Sequence, residues 1–241
     1  MKQNIIVILL LLFLVSCGEE TIEVDGIVDG KEYYPVTVGR EWIYVSDSII
    51  YDESMGLVDT LSGYVKEVIK DISDDGFYII ERSFKRKLAE DWKVSDIWSG
   101  RLENTSAIKT EENLSFIKLV FPPNIFTSWN GNSLFDENVE IVVAGEPLRP
   151  YQGWNYEIIG TEGVYNEDTI SATNVVDVLQ VDATSIVDRR YSLERFASGI
   201  GMVEKKMIIL DCQCSNVPES IPWEEKAEKG FILTQRLISY K

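Results

Sequence analysis

From residue 33 onward, apolar and polar residues alternate over short runs, and a helical spacing of apolar positions is nearly absent. Residues 41–46, Glu-Trp-Ile-Tyr-Val-Ser, are rich in β-branched and aromatic side chains and predict a first strand. Runs at 64–72 and 77–84 flank Ser73-Asp74-Asp75-Gly76, whose Asp-Gly pair tolerates the positive φ of a tight hairpin. Further strands are predicted at 92–98, 116–121, 155–161, 175–182, 191–197, 202–210 and 231–240. Within 175–182, partial alternation fits a strand with one wet face. Short strands at such intervals, with turn residues between them, predict an all-β, antiparallel fold. A meander forming a barrel or open half-barrel, lipocalin-like or lipoprotein-carrier-like, is the expected form, and a β-sandwich is the alternative. Residues 122–153 and 211–230 break the pattern with prolines and glycines. The first reads as a long connection between two halves of one sheet system, and the second carries a short helix at 223–229.

The N-terminus follows a different pattern. Met1-Lys2-Gln3-Asn4 is basic, and residues 5–15 are an unbroken apolar run. At about 1.5 Å per residue this run is too short for a bilayer core of about 30 Å, which marks a signal segment rather than a spanning helix. It ends in Leu14-Val15-Ser16-Cys17, which resembles the lipobox of bacterial lipoproteins. The resemblance implies cleavage before Cys17 and lipidation of its thiol, with acyl chains worth about 0.8 kcal/mol per buried methylene. Residues 1–16 are then a signal peptide and 17–32 an acidic flexible tether. Residues 33–241 form a single antiparallel β domain. Acidic residues directly after Cys17 also resemble a Bacteroidota surface-export signal.

Composition narrows the functions. The 241 residues hold 23 Lys+Arg, 40 Asp+Glu and no histidine, for a net charge of −17. Removing residues 1–16 takes away one Lys and no acid, leaving 22 minus 40, or −18. Such a chain lacks the basic surface that nucleic acids need. Without histidine, Ser-His-Asp and Cys-His machinery and His-ligated zinc are excluded.

Several segments together resemble a group of Bacteroidota cell-envelope lipoproteins of unknown function. They are residues 34–44 (Tyr-Pro-Val-Thr-Val-Gly-Arg-Glu-Trp-Ile-Tyr), 129–132 (Trp-Asn-Gly-Asn) and 196–205 (Phe-Ala-Ser-Gly-Ile-Gly-Met-Val-Glu-Lys). The resemblance implies an envelope location and a β-rich fold, and it implies no catalytic residue. From the residues themselves, Gly39 suits a turn before the first strand, and Gly199 and Gly201 suit a tight turn or bulge. Trp42 and Tyr44 share a strand face directed at the core.

Candidate chemistry is sparse. Cys212 and Cys214, two apart, would lie on one face of a strand with Cα atoms about 6.6 Å apart, near the upper limit for a disulfide. Two free thiols are the alternative, and no metal site is expected. Asp71–Gly76 loosely resembles a calcium loop, but position twelve is Arg82, so it reads as the hairpin. Trp129, Tyr151, Trp154 and Tyr156 are candidates for stacking on a sugar. A cavity for a hydrophobic ligand would have no signature, since its lining looks like core. These residues predict a non-catalytic, lipid-anchored lipoprotein of the outer membrane, facing the periplasm or the cell surface. It would bind a hydrophobic ligand, a glycan or an envelope protein and use no cofactor. A surface carbohydrate-binding lipoprotein of a glycan-uptake system is the second reading, and a carboxylate-dependent glycoside hydrolase the third.

Overall fold

Period-two burial runs through nearly every strand of the computed structural model, which describes residues 29–167, 170–213, 218 and 220–241. The strands are β1 (Glu41–Asp52), β2 (Leu57–Ile72), β3 (Phe77–Lys85), β4 (Lys93–Leu102), β5 (Ser106–Glu111), β6 (Leu114–Val120), β7 (Ser128–Trp129), β8 (Ile141–Val143), β9 (Glu146–Leu148), β10 (Tyr156–Glu167), β11 (Ile170–Thr184), β12 (Asp188–Ala197), β13 (Gly201–Asp211) and β14 (Lys229–Tyr240). A 3-10 turn, Lys31–Tyr33, and a one-turn helix α1, Trp223–Lys226, complete the described elements. All long strands pair antiparallel. Twelve form one sheet in the order β6-β5-β4-β3-β2-β1-β14-β13-β12-β11-β10-β7, and β8 and β9 make a separate small hairpin.

The order is a meander in two arms, joined where β1 meets β14. It does not close into a barrel, since β6 and β7 are the two ends of the ladder. The ends nevertheless touch. Ile117 N–H donates to the Gly131 carbonyl at 2.8 Å, and the Trp129 indole N–H donates to the Ile117 carbonyl at 2.8 Å. The result is an open half-barrel, one of the forms the sequence predicts.

Its interior holds two apolar clusters. One joins Trp42, Tyr44, Ile69, Tyr78 and Ile80 to Val175, Ala197, Val203 and Leu237. The other joins Ala107 and Leu119, on β5 and β6, to Val176, Val178, Phe196, Met207 and Ile209 on the opposite arm. Apolar side chains from the two arms thus face each other across the curl. Pairing strands bury one face of each in this way, at roughly 25 cal/mol per Å² of apolar surface.

The N-terminal segment enters earlier than the sequence boundary at 33. Gly30 is buried with φ +82, and a Cβ there would lie 2.2 Å from Pro123 Cδ. Gly199 N–H then donates to the Glu32 carbonyl at 2.8 Å. Two of the three segments that carry the lipoprotein resemblance, 34–44 and 196–205, meet in space. The Trp42 indole donates to the Ile200 carbonyl at 2.6 Å, Tyr44 Oη to the Met202 carbonyl at 3.1 Å, and the Arg40 guanidinium to the Gly199 carbonyl. Trp42 and Tyr44 are both buried, as their shared face requires. Gly39, Gly199 and Gly201 have φ of +85, +72 and +101, the left-handed region that side chains resist.

Candidate functional site

The most unusual feature of the interior is charge. Strand alternation places Glu67 between Val65 and Ile69, Lys118 two residues after Phe116, and Glu194 between Ser192 and Phe196, all in core phase. Lys109 and Glu111 follow Ala107 on the inward phase of β5, and Lys205 sits between Val203 and Met207 on β13. The curl brings them together. Lys118 Nζ lies 2.8 Å from Glu194 and 3.1 Å from Glu111. Lys205 lies 3.2 Å from Glu111 and 3.4 Å from Glu194, and Lys109 lies 2.9 Å from Glu67 and 3.7 Å from Glu111. Arg82 extends the chain from Glu67, at 3.8 Å, to Asp96, at 3.6 Å. The Lys118 and Glu194 side chains are only 5% and 1% exposed. Four cations thus meet four carboxylates, and the cluster is neutral as a whole.

Such burial is tolerable only because each charge is paired. Burial alone would raise the Glu111 carboxyl, but Lys118, Lys205 and Lys109 overcome it and hold it well below the ordinary carboxylate range. Glu194 behaves likewise: burial raises it, Lys118 and Lys205 outweigh that, and it too ends below its ordinary value. Burial would depress Lys118, yet Glu111 and Glu194 lift it well above the ordinary lysine value. Carboxylates held in the ionised form suit ion pairing. They do not suit a general acid, which needs a raised value.

Two small cavities flank this network. One, of about 40 Å³, is lined by Tyr34, Pro35, Val36, Glu67, Lys109 and Glu194 among others. The other, of about 30 Å³, is lined by Trp154, Tyr151, Gln180, Lys118 and Lys205. Glu194 Oε2 in the first lining, and Trp154 Nε1 and Gln180 Nε2 in the second, are buried without a hydrogen-bond partner. A water needs about 10–15 Å³, so each cavity admits one or a few waters that these atoms can bind. Two more open surface hollows, about 480 and 380 Å³, share Glu53, Gln213 and Glu228 in their linings.

The sequence-derived candidates fall elsewhere. Trp154 and Tyr156 are buried, and Trp129 and Tyr151 are half-buried. Their rings pack on one another: Trp129–Tyr156 at 5.7 Å, Trp154–Tyr156 at 6.2 Å and Tyr151–Trp154 at 5.3 Å between centroids. Phe116 and Phe135 enclose Tyr151 at 5.4 and 5.5 Å. Of the four rings expected to stack on a sugar, Trp154 and Tyr156 are turned inward and Trp129 and Tyr151 keep part of their surface. β7 carries Trp129, the turn before β10 carries Tyr151 and Trp154, and β10 opens with Tyr156.

Cys212 is buried just after β13 and is disulfide-bonded. Cys214 and Cys17 lie outside the described residues. Asp74-Asp75-Gly76 forms the predicted turn, with Gly76 at φ +79 and its N–H on the Ser73 carbonyl at 3.0 Å. No group of three or more potential metal-ligating side chains occurs among the described residues. The buried ion network went unread in the sequence. Its signal was a charge in core phase, as in Val65-x-Glu67-x-Ile69, and only the alternation extended through charged positions reveals it.

No protein-family model and no curated protein matches the chain. Among solved structures it is similar to a candidate lipoprotein from Parabacteroides distasonis, at 11% identity. The match covers 87% of this chain and 98% of that one, with a TM-score of 0.37.

Proposed function

We propose that this chain is a lipid-anchored lipoprotein of the outer membrane, facing the periplasm or the cell surface. It acts without catalysis, by binding an envelope protein through its exterior. The anchor reading rests on the basic start, the short apolar run and Leu14-Val15-Ser16-Cys17. The exterior reading rests on one observation: the two spaces beside the buried ion pairs measure about 40 and 30 Å³. Pockets for small ligands are about 300–1,000 Å³, and these smaller spaces favour the exterior over an interior ligand. A closed set of ion pairs, not a chamber, occupies the middle of the half-barrel. The inward turn of Trp154 and Tyr156 weighs against the glycan reading, and Glu111 and Glu194, kept ionised by the lysines, do not suit the general acid of a hydrolase.

The anchor is tested by growth with an alkyne-bearing palmitate followed by click detection. The wild-type chain is expected to carry the label and Cys17→Ser to lose it. An unlabelled wild type, or a label retained by Cys17→Ser, overturns the anchor.

A further inference from the structure

β2 is longer than its neighbour on one side. β1 pairs with it without a break as far as Asp52↔Leu57, whereas β3 pairs with it only from Tyr64↔Lys85. Leu57–Ser62 therefore has one partner strand and one free edge, among the described residues. All six residues are exposed, with Leu57 at 52%, Val58 at 59% and Leu61 at 37%.

The direction of the backbone groups follows from the ladder. Ile69 exchanges its N–H and C=O with Arg40 and Gly39, on the β1 side. Antiparallel pairing alternates, and the β1–β2 register has no bulge, so residues 67, 65, 63, 61, 59 and 57 also bond toward β1. Val58, Thr60 and Ser62 then point their N–H and C=O groups out of the free edge. Natural edges are usually blunted by lysine, proline or a bulge. This one has none of these, and its single charge is Asp59.

Along the chain the edge segment carries only negative charge, while Lys85, the partner of Tyr64, stands where the free edge begins. Residues 46–63 contain Asp47, Asp52, Glu53 and Asp59 and no Lys or Arg. β14 supplies Arg236 to Asp47 at 3.4 Å and Lys229 to Glu53 at 4.0 Å, while Asp59 has no ion pair among the described residues. Leu57, Asp59 and Leu61 share one face in that order, because β2 alternates.

We propose that Leu57–Ser62 is a docking edge for an extended segment of a partner protein. That segment adds a strand to β2 and presents an apolar–basic–apolar series at alternate positions, the basic residue reaching Asp59. Main-chain bonds to Val58, Thr60 and Ser62 supply affinity, and the Leu57, Asp59 and Leu61 face supplies selectivity. A second copy of this chain fits less well. It would set Asp59 against the same acidic segment rather than against a basic residue. The docking edge deepens the partner-binding function proposed above and rests on it.

The test uses the full lipidated chain in detergent. Its probe is a fluorescein-labelled peptide, Thr-Val-Thr-Lys-Thr-Val-Thr, with a Glu-for-Lys counterpart, read by fluorescence anisotropy. Wild type is expected to bind the Lys peptide about 10-fold more tightly than the Glu peptide, one charge pair's worth. Asp59→Lys is expected to reverse that preference. Thr60→Pro removes one outward N–H and no bond to β1, so it is expected to abolish binding with the unfolding midpoint unchanged. The edge is overturned if wild type binds neither peptide, or if Thr60→Pro binds like wild type. It is also overturned as a partner site if sedimentation shows a wild-type dimer that Thr60→Pro dissolves. Palmitate labelling on the same preparations separates the outcomes. A labelled chain that fails the peptide test loses this docking edge and keeps its anchor.

Discussion

Lys118 shows what a single residue contributes to this fold. Its ammonium is shared by Glu194 at 2.8 Å and Glu111 at 3.1 Å, and only Lys205, at 3.4 and 3.2 Å, backs it up on both among the described residues. Lys118→Met leaves two buried carboxylates short of a partner and is expected to cost about 3–5 kcal/mol in urea unfolding at neutral pH. The pH dependence follows from the directions of the shifts. Glu111 and Glu194 titrate lower in the fold than in the open chain, so their stabilisation is complete above the unfolded value of about 4.3. It is lost as pH falls through the folded values. Lys118 titrates higher in the fold, so its share is complete below about 10.4 and is lost as pH climbs through its folded value. Unfolding free energy is expected to be level from about pH 5 to 9 and to fall steeply below about pH 4. The Lys118→Met deficit should shrink in acid, as the stranded carboxyls take up protons; a constant deficit would contradict the pairing. Gly100 illustrates packing at the same scale. A Cβ there would lie 2.2 Å from Tyr78 Oη and 2.4 Å from the Ile108 carbonyl, the two atoms that share a 2.9 Å hydrogen bond. Gly100→Ala is expected to cost about 1–3 kcal/mol in the same assay.

Strands were legible wherever alternation lasts long enough to be seen. Residues 64–72 and 77–84 with their Asp-Gly turn appear as β2 and β3, and residues 202–210 lie within β13. Ser106–Glu111 was missed because its inward positions are Ala107, Lys109 and Glu111. Two charges in core phase erase the apolar signal that marks a strand. The first half of β2 was missed for the opposite reason: exposed on both faces, Leu57–Ser62 has no inward phase to read. The 122–153 connection holds β7 and the β8–β9 hairpin, too short for a pattern. The ladder directions make a prediction at this scale. Thr60→Pro should leave the unfolding midpoint within error, since its N–H faces outward. Leu61→Pro, one residue on, breaks a bond to β1 and should cost about 1–3 kcal/mol. Equal effects would mean that the inferred register is wrong.

For the whole molecule, the all-β class and the antiparallel meander could be read from the chain, and the choice between barrel and half-barrel could not. Closure depends on whether β6 and β7 pair, and β7 has only two residues to pair with. One backbone bond and one indole bond join the ends instead of a ladder. The interior could not be read either, because core and cavity linings use the same residues. What distinguishes them is volume, and the volume here is occupied by Lys109, Lys118, Lys205 and their carboxylates. The central claim is that this half-barrel is filled by its own charges and binds at its exterior. Native mass spectrometry of the lipidated chain, extracted in mild detergent, tests it most directly when set beside the denaturing spectrum of the same sample. Both spectra are expected to give one mass, that of the polypeptide with its covalent acyl groups. An extra lipid or sugar mass in the native spectrum that disappears on denaturation would contradict it.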